Sequence, residues 1–238
     1  SVTMVINTNT SAQSSSRLLA DSSTRLAKSL ARLSSGSKIV SPEDDAAGAA
    51  VSLRFDAQIN RINATSNNVS NAVSFNQTQD GFLQKVGKAL DRMSELSVLA
   101  QDVTKSNADR ALYNAEFQTL GSYISDIATK DFNGVSLFTS SALSVTTDSE
   151  AATFSMAGVN LGASAYSTAT GSNITSASNA ATALTNVKAA ITQLASDRGT
   201  VAANLQRLNM TNEHLGVLRD NLSAANSRIK DVDVAFES

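Results

Sequence analysis

His214 is the single histidine of the chain and so the first candidate for proton transfer near neutral pH. Glu213 stands beside it, but adjacent residues on a helix do not face each other, so the two do not converge. No cysteine is present, which removes thiolate nucleophiles, disulfides and Cys-based zinc sites. The HExxH, Walker and GxGxxG patterns are absent as well. Glu43, Asp44 and Asp45 are candidates for a metal or acid–base cluster. They follow Ser41-Pro42, however, and that order reads as a helix start: Ser41 caps, Pro42 suits the first turn, and Asp44 stands where a capping-box acid reaches back. Consecutive acids at such an end also favour the positive pole of the helix dipole. Asp231 and Asp233 lie two apart, a spacing that diverges on a helix. The expectation is a chain with no catalytic constellation, no metal and no cofactor, whose functional residues are packing residues.

The elements that would carry such packing are long helices. Val187, Ile191, Leu194, Val201, Leu205, Leu208, Leu215, Leu222 and Ile229 recur at alternating steps of three and four, the seam of a helix lying along another helix. The seam is broken at Arg198, Asn212 and Arg219. About fifty residues at ~1.5 Å each make a helix of roughly 75 Å, which requires partners along its length. Leu18, Leu19, Leu26, Leu30 and Leu33 form a stripe from about Ser14 to Ser34, ended by Gly36 as a cap. A second helix is expected from about Pro42 to Lys105, with a change of phase or gentle kink at Gly81. A third begins at Asn107-Ala108-Asp109, runs through Leu112, Phe117, Leu120, Ile124 and Ile127, and turns back antiparallel. Phe132-Asn133-Gly134 is expected to end the third helix in a turn. Val135–Phe138, Leu143–Thr147 and Thr153–Met156 read as short strands, followed by Ser/Thr-rich loops to about Asn179.

Composition agrees with a thin helical seam. The chain has 238 residues, 42% hydrophobic but 5% aromatic, with one proline and no tryptophan. Its net charge of −2 offers no electrostatic case for nucleic acid. No apolar run is long enough to span a membrane, and Ser1–Thr10 has no apolar core of a cleaved signal. The fold class expected is mainly α: a long antiparallel helical rod, a coiled-coil-like bundle, with a small β-hairpin region at its tip. Asn9-Thr10-Ser11, Asn63-Ala64-Thr65 and Asn173-Ile174-Thr175 match the N-glycan sequon, as chance allows in so Asn/Ser-rich a chain.

Both ends of the sequence carry distinctive motifs. Near the N-terminus stand Val5-Ile6-Asn7-Thr8-Asn9, Leu33-Ser34-Ser35-Gly36 and Asp44-Asp45-Ala46-Ala47-Gly48-Ala49-Ala50, with Phe132-Asn133-Gly134-Val135 further on. Near the C-terminus stands Ser227-Arg228-Ile229 with Asp231, Asp233, Ala235 and Glu237. On these motifs the sequence closely resembles a bacterial flagellin, over roughly 4–138 and 184–238. The resemblance implies a structural filament subunit for motility, exported through the flagellar type III apparatus, polymerised under a filament cap and joined to hook-associated junction proteins. It also implies a secreted, extracellular location in the flagellum filament, with no nucleic acid and no membrane insertion.

Four segments follow from it: 1–43, an inner-tube and export segment expected to be disordered in the monomer; 44–134, two long helices of an outer core; 135–183, a short β-hairpin and variable exposed region; and 184–238, the returning core helix. The resemblance further implies a C-terminal inner-tube helix beyond the Ser-Arg-Ile segment, so the chain ending at Ser238 is expected to be a trimmed, minimal form without large outer domains. Family packing residues carried over are Leu33, Ser35, Gly36, Asp44, Asp45, Gly48, Phe132, Asn133, Gly134, Arg228, Ile229, Asp231 and Asp233. The family's contact with a flagellin-sensing Toll-like receptor maps onto Arg92, Glu95, Leu96 and Glu116, with Ser94 where many activating members carry a second Arg. Leu96 also continues the Phe82–Val86–Met93 stripe and is a candidate core residue. The rival readings are a hook–filament junction protein, a secreted monomeric immune ligand or adhesin, and an enzyme on the same scaffold.

Overall fold

Between Ile62 and Ala100 the buried residues include Ile62, Thr65, Val69, Ala72, Asn76, Gln79, Leu83, Val86, Leu90, Met93, Ser97 and Ala100. Steps of three and four alternate through all of them, the spacing that keeps one seam facing a partner helix. They lie on or just past α2 (Ala46–Leu99) in a computed structural model that describes residues 9–41, 43–232 and 236. No phase change occurs at Gly81, contrary to the expectation from sequence: the seam passes from Asn76 and Gln79 to Leu83 and Val86 in step.

The remaining elements are α1 (Thr10–Ser35), α3 (Asn107–Ile127), β1 (Asp131–Phe132), β2 (Val135–Ser136), β3 (Leu143–Thr146), β4 (Thr153–Met156), α4 (Ser164–Thr170) and α5 (Ala177–Lys230). The protein is mainly α with two small antiparallel hairpins, β1–β2 and β3–β4. The chain divides into two compact units, Ser1–Arg61 with Val217–Ser238, and Ile62–Gly216. Helices α2 and α5 contribute to both.

In Ile62–Gly216, α5 buries Val187, Ala190, Leu194, Val201, Asn204, Leu208 and Leu215. The seam is therefore the one read from sequence, with Ala190 and Asn204 in place of their larger neighbours Ile191 and Leu205. Side-chain size misled there, because the heptad position, not hydrophobicity, decides which residue points inward. Two of the seam breaks have partners on α2. Arg198 Nε lies 2.9 Å from Asp80 Oδ1, and Asn212 Oδ1 accepts from Ser66 Oγ at 3.1 Å while its amide donates to Ser70 Oγ at 3.2 Å. Numbers rise on α2 as they fall on α5, so the helices are antiparallel.

The segment after β4 is more ordered than its weak periodicity suggests. Val159, Leu161, Tyr166, Ala169 and Ile174 are buried, and α4 forms where loops were expected. Backbone packing explains this: Thr170 O lies only 3.2 Å from where a Cβ on Gly121 would sit, so α4 reaches α3 because Gly121 has no side chain.

In the other unit, among the described residues, only Ser52 and Asn226 are buried. Helix α1 is capped by Asn9, whose side chain accepts from Ala12 N–H, and closed by Gly36 at φ 70°, the left-handed residue the sequence places there. None of its residues is buried, and Leu18, Leu19, Leu26 and Leu30 are 56–72% exposed. Helix α2 starts at Ala46, later than the Ser41-Pro42 start expected. Ahead of it, Asp44 N–H donates to Ser41 O at 3.0 Å. Pro42 lies outside the described residues, as do Val5–Thr8, Asp233, Ala235 and Glu237 of the resemblance motifs.

Candidate packing surface and ion-pair cluster

In the unit formed by Ser1–Arg61 and Val217–Ser238, the family-motif residues make a polar joint. Asp44 Oδ2 accepts from the backbone N–H groups of Val40 at 3.1 Å and Ser41 at 3.2 Å, and Lys28 Nζ reaches Asp44 Oδ1 at 2.7 Å. The lysine above all, then the Ser41 amide, holds the Asp44 carboxyl at about 2, well below its usual 3.8. Asp45 caps α2: its Oδ1 accepts from Gly48 N–H at 2.8 Å. A Cβ on Gly48 would stand 2.7 Å from Asp45 Cγ, so glycine at 48 lets the capping carboxylate fold back. Ser35 Oγ accepts from Ser37 N–H at 3.2 Å, and Leu33 is half-buried.

The chain leaving α1 pairs with the end of α5. Ser37 and Asp231 form an antiparallel bridge, Lys38 N–H donates to Lys230 O, and Val232 N–H donates to Gly36 O at 3.3 Å. Asp231 also receives the Ser227 hydroxyl. Beside this bridge a ladder links α2 to α5: Ser52 Oγ donates to Asn226 Oδ1 at 2.8 Å, Asn226 Nδ2 to Asp56 Oδ1 at 2.7 Å, and Lys230 Nζ to Asp56 Oδ2 at 3.2 Å. Ile229 is half-buried and Arg228 exposed. The joint is built from hydrogen bonds and ion pairs, not apolar burial.

Phe132, Asn133 and Gly134 belong to Ile62–Gly216 and do structural work there. Asn133 at φ 52° and Gly134 at φ 78° are the two central residues of the β1–β2 turn, with Phe132 paired to Val135. Two successive positive φ values are what a two-residue hairpin of this twist demands, and Asn-Gly satisfies them most readily. The turn aims Phe132 edge-on at Phe75 of α2, 5.9 Å between ring centres. Gln79, a polar seam residue, donates to Leu137 O at 2.7 Å, and Thr65 donates to Asp148 O at 3.1 Å. The polar stretch of α2 thus receives β-region backbone where an apolar residue would leave buried carbonyls unpaired.

Arg92 and Glu116 form an exposed cross-helix pair in the same unit. Arg92 Nε donates to Glu116 Oε1 at 2.7 Å and Nη2 to Oε2 at 3.1 Å, a two-pronged clasp of α2 on α3. Arg92 Nη1 also reaches Glu95 Oε2 at 3.0 Å. Glu116 holds the guanidinium pKa above its usual value, and Arg92 lowers that of Glu116. Leu96 does not join this surface: it is fully buried in the α2 seam, so of the four residues singled out there, Arg92, Glu95 and Glu116 are exposed together and Leu96 is core.

Three anchoring residues carry no sequence signal of the kind used above. Arg110, buried at the start of α3, donates to Ala100 O at 2.6 Å, Asp102 O at 2.9 Å and Asn107 Oδ1 at 2.9 Å; it satisfies the carbonyls left open where α2 ends. Tyr166 on α4 donates to Asp197 on α5. Gly158 lies against the backbone carbonyls of Thr139 and Ser141. Arg110 stands three residues past the helix start expected at Asn107, but its burial is a fact of tertiary structure alone.

His214 is exposed on α5. Among the described residues no group of three His, Cys, Asp or Glu side chains is placed to hold a metal ion, and no helix is long and apolar enough to cross a membrane.

Comparison with known proteins agrees with this geometry. Residues 6–143 match the family model for the bacterial flagellin N-terminal helical region, and residues 184–238 match that for the C-terminal helical region. Flagellin FlaB2 of Treponema pallidum is 32% identical over 98% of this chain and 88% of its own length. The flagellar filament core protein flaB2 of Brachyspira hyodysenteriae is 33% identical over 99% of this chain and 89% of its own. The fold is similar to that of Bacillus cereus flagellin, with a TM-score of 0.56 over 63% of this chain and 88% of that one at 24% identity. It is also similar to a putative flagellar hook-associated protein from Vibrio parahaemolyticus, with a TM-score of 0.68 over 79% of this chain and all of that one at 11% identity.

Proposed function

Because the chain belongs to the bacterial flagellin family, and is a structural subunit of the flagellar filament, we propose that it polymerises with copies of itself through its exposed helix faces. The carrying observation is α1: an amphipathic helix, properly capped at both ends, that leaves Leu18, Leu19, Leu26 and Leu30 in water. Burying one such leucine stabilises an assembly by about 1.5–3 kcal/mol, so a row of them supports a helix that meets its partner on assembly. On this reading 1–43 is an inner-tube segment, 44–134 and 184–238 supply the outer-core helices, and 135–183 is the variable exposed region. The polar joint at Asp44, Asp45, Gly48, Arg228, Ile229 and Asp231 then holds the chain leaving α1 against the end of α5.

The finer expectations follow from the same membership. The subunit passes through the type III export apparatus, is added beneath a filament cap, contacts hook-associated junction proteins at the filament base and ends outside the cell. It performs no catalysis. The Arg92, Glu95 and Glu116 cluster is the surface offered to a Toll-like receptor; the support for this is a fixed, exposed pattern of one cation between two anions spanning two helices.

Sedimentation tests the polymer reading. Purified chain is spun before and after seeding with filament fragments, beside a Leu18→Ser/Leu26→Ser/Leu30→Ser variant. Seeded wild-type chain is expected to pellet as filaments and the variant to stay in solution. Equal pelleting of both would remove α1 from the assembly surface.

A further inference from the structure

Glycine in the middle of a helix needs a reason, since each one disfavours the helix relative to alanine by about fivefold in equilibrium constant. Half of the six glycines in helices here have one. Gly121 admits Thr170 O, Gly87 lies 3.3 Å (from an added Cβ) from Leu194 Cδ2, and Gly48 admits the Asp45 carboxylate. Gly81 on α2 and Gly199 on α5 have none: a Cβ at either would meet no atom within 4 Å, and neither has a positive φ.

These two glycines share a level. Asp80 and Arg198, the residues just before them, are joined across the helix pair at 2.9 Å. At that level the seam is at its most polar. The Ser66–Asn212 and Asp80–Arg198 pairs set the antiparallel register, and by it Asn76 on α2 falls within two residues of the level of Asn204 on α5; both are buried. Gln79 is spent on Leu137 O, so Leu83 on α2 and Val201 on α5 are the nearest buried apolar seam residues to the two glycines. Both glycines thus lie in a stretch where polar residues interrupt the apolar seam. Gly216 is also free of contacts, but no glycine on α2 answers it in this register.

We propose that Gly81 and Gly199 form a paired hinge at which α2 and α5 bend together, with the Asp80–Arg198 ion pair as the pin that prevents sliding. Helices bend where the hydrogen-bond ladder is least braced, and two antiparallel helices bend as one only if both yield at the same height. Asp80 is suited to the pin: Arg198 first, then Gln84, hold its carboxyl below the usual range, so it stays charged. In a filament, and here the inference rests on the polymer reading above, such a hinge lets identical subunits adopt the slightly different curvatures that a curved tube requires.

Hydrogen exchange on the unassembled full chain tests the hinge. The amides whose helical bonds span the glycines, 82–85 and 200–203, are expected to exchange on the order of tenfold faster than those one turn to either side. A Gly81→Ala/Gly199→Ala variant, which gains helix propensity and so folds, is expected to bring both segments down to the flanking rate. Wild-type exchange at both levels as slow as in the flanking turns would overturn the proposal and assign the glycines to a close approach from outside the subunit. A response at one level only would also overturn it, because the bend must be shared. Filaments of the double variant are expected to be straighter by electron microscopy; wild-type curvature in them would overturn the role in curvature. Failure of wild-type chain to pellet when seeded would count against the polymer reading only, since exchange is read on single chains.

Discussion

Tyr166 donates its phenol to Asp197 Oδ2 at 2.5 Å, while Gln193 Nε2 donates to the other carboxylate oxygen at 3.0 Å. The ring is 1% exposed, so one hydrogen bond to a charged group ties the short helix α4 to α5. Burial first, then the hydrogen bond to Asp197, raises the phenol pKa well above its usual 10.0. Because the folded state keeps the proton longer than the unfolded chain, this contribution is fully present below pH 10 and lost as pH rises beyond it. Tyr166→Phe is expected to destabilise Ile62–Gly216 by about 1.5–3 kcal/mol in urea titration at pH 7 and to flatten the loss of stability above pH 10.

Arg110 is the other buried polar anchor. Arg110→Ala would leave the carbonyls of Ala100 and Asp102 without their donor, at a cost of about 2–3 kcal/mol. Arg110→Lys should recover only part of this, since an ammonium cannot reproduce the fork that reaches three acceptors. Equal stability of the Lys variant and the wild type would show that charge, not geometry, closes the end of α2.

Gly158→Ala is expected to be destabilising by about 1–3 kcal/mol. The new methyl would press on the Thr139 and Ser141 carbonyls, which are backbone and yield only if the loop before β3 moves. The readout is the chemical shift of Leu143–Thr146 amides together with the urea midpoint. An unchanged β3–β4 hairpin would mean the loop gives way freely.

Acid should act on the Asp44 contact of the polar joint only at low pH. Asp44 titrates at about 2 against a usual 3.8, chiefly because of Lys28. Its stabilising contribution is present above pH 3.8 and lost as pH falls from there towards 2. Lys28→Ala is expected to move the Asp44 titration, followed by carboxyl carbon NMR, back towards 3.8. No movement would assign the depression to the Val40 and Ser41 amides instead.

Arg92→Ala should leave the melting temperature almost unchanged, because an exposed ion pair contributes little to stability. Receptor binding by the same variant is expected to drop, measured by surface plasmon resonance on a Toll-like receptor ectodomain. Wild-type affinity would remove the Arg92 cluster from the receptor surface.

Much of this protein was legible in its sequence because its helices are long and its signals local. Steps of three and four, the Gly36 stop and the Asn133-Gly134 turn each depend on residues within a turn or two, and each is where it was expected. Seam occupancy was less legible: Ala190 and Asn204 are buried while Ile191 is 37% exposed, since only the register against α2 decides which flank of α5 faces inward. Arg198 and Asn212 looked like faults in the seam until Asp80, Ser66 and Ser70 were found opposite them. Tertiary structure alone decided that 157–176 is packed rather than loose, because its anchors, Gly121 for α4 and Asp197 for Tyr166, lie tens of residues away. It also decided between the two places the sequence left open for Leu96, receptor surface and core, because a helix stripe read from one strand of sequence has no partner to define its inner side. Local spacing therefore determined the helices, turns and family motifs, and long-range register determined which of their side chains are surface.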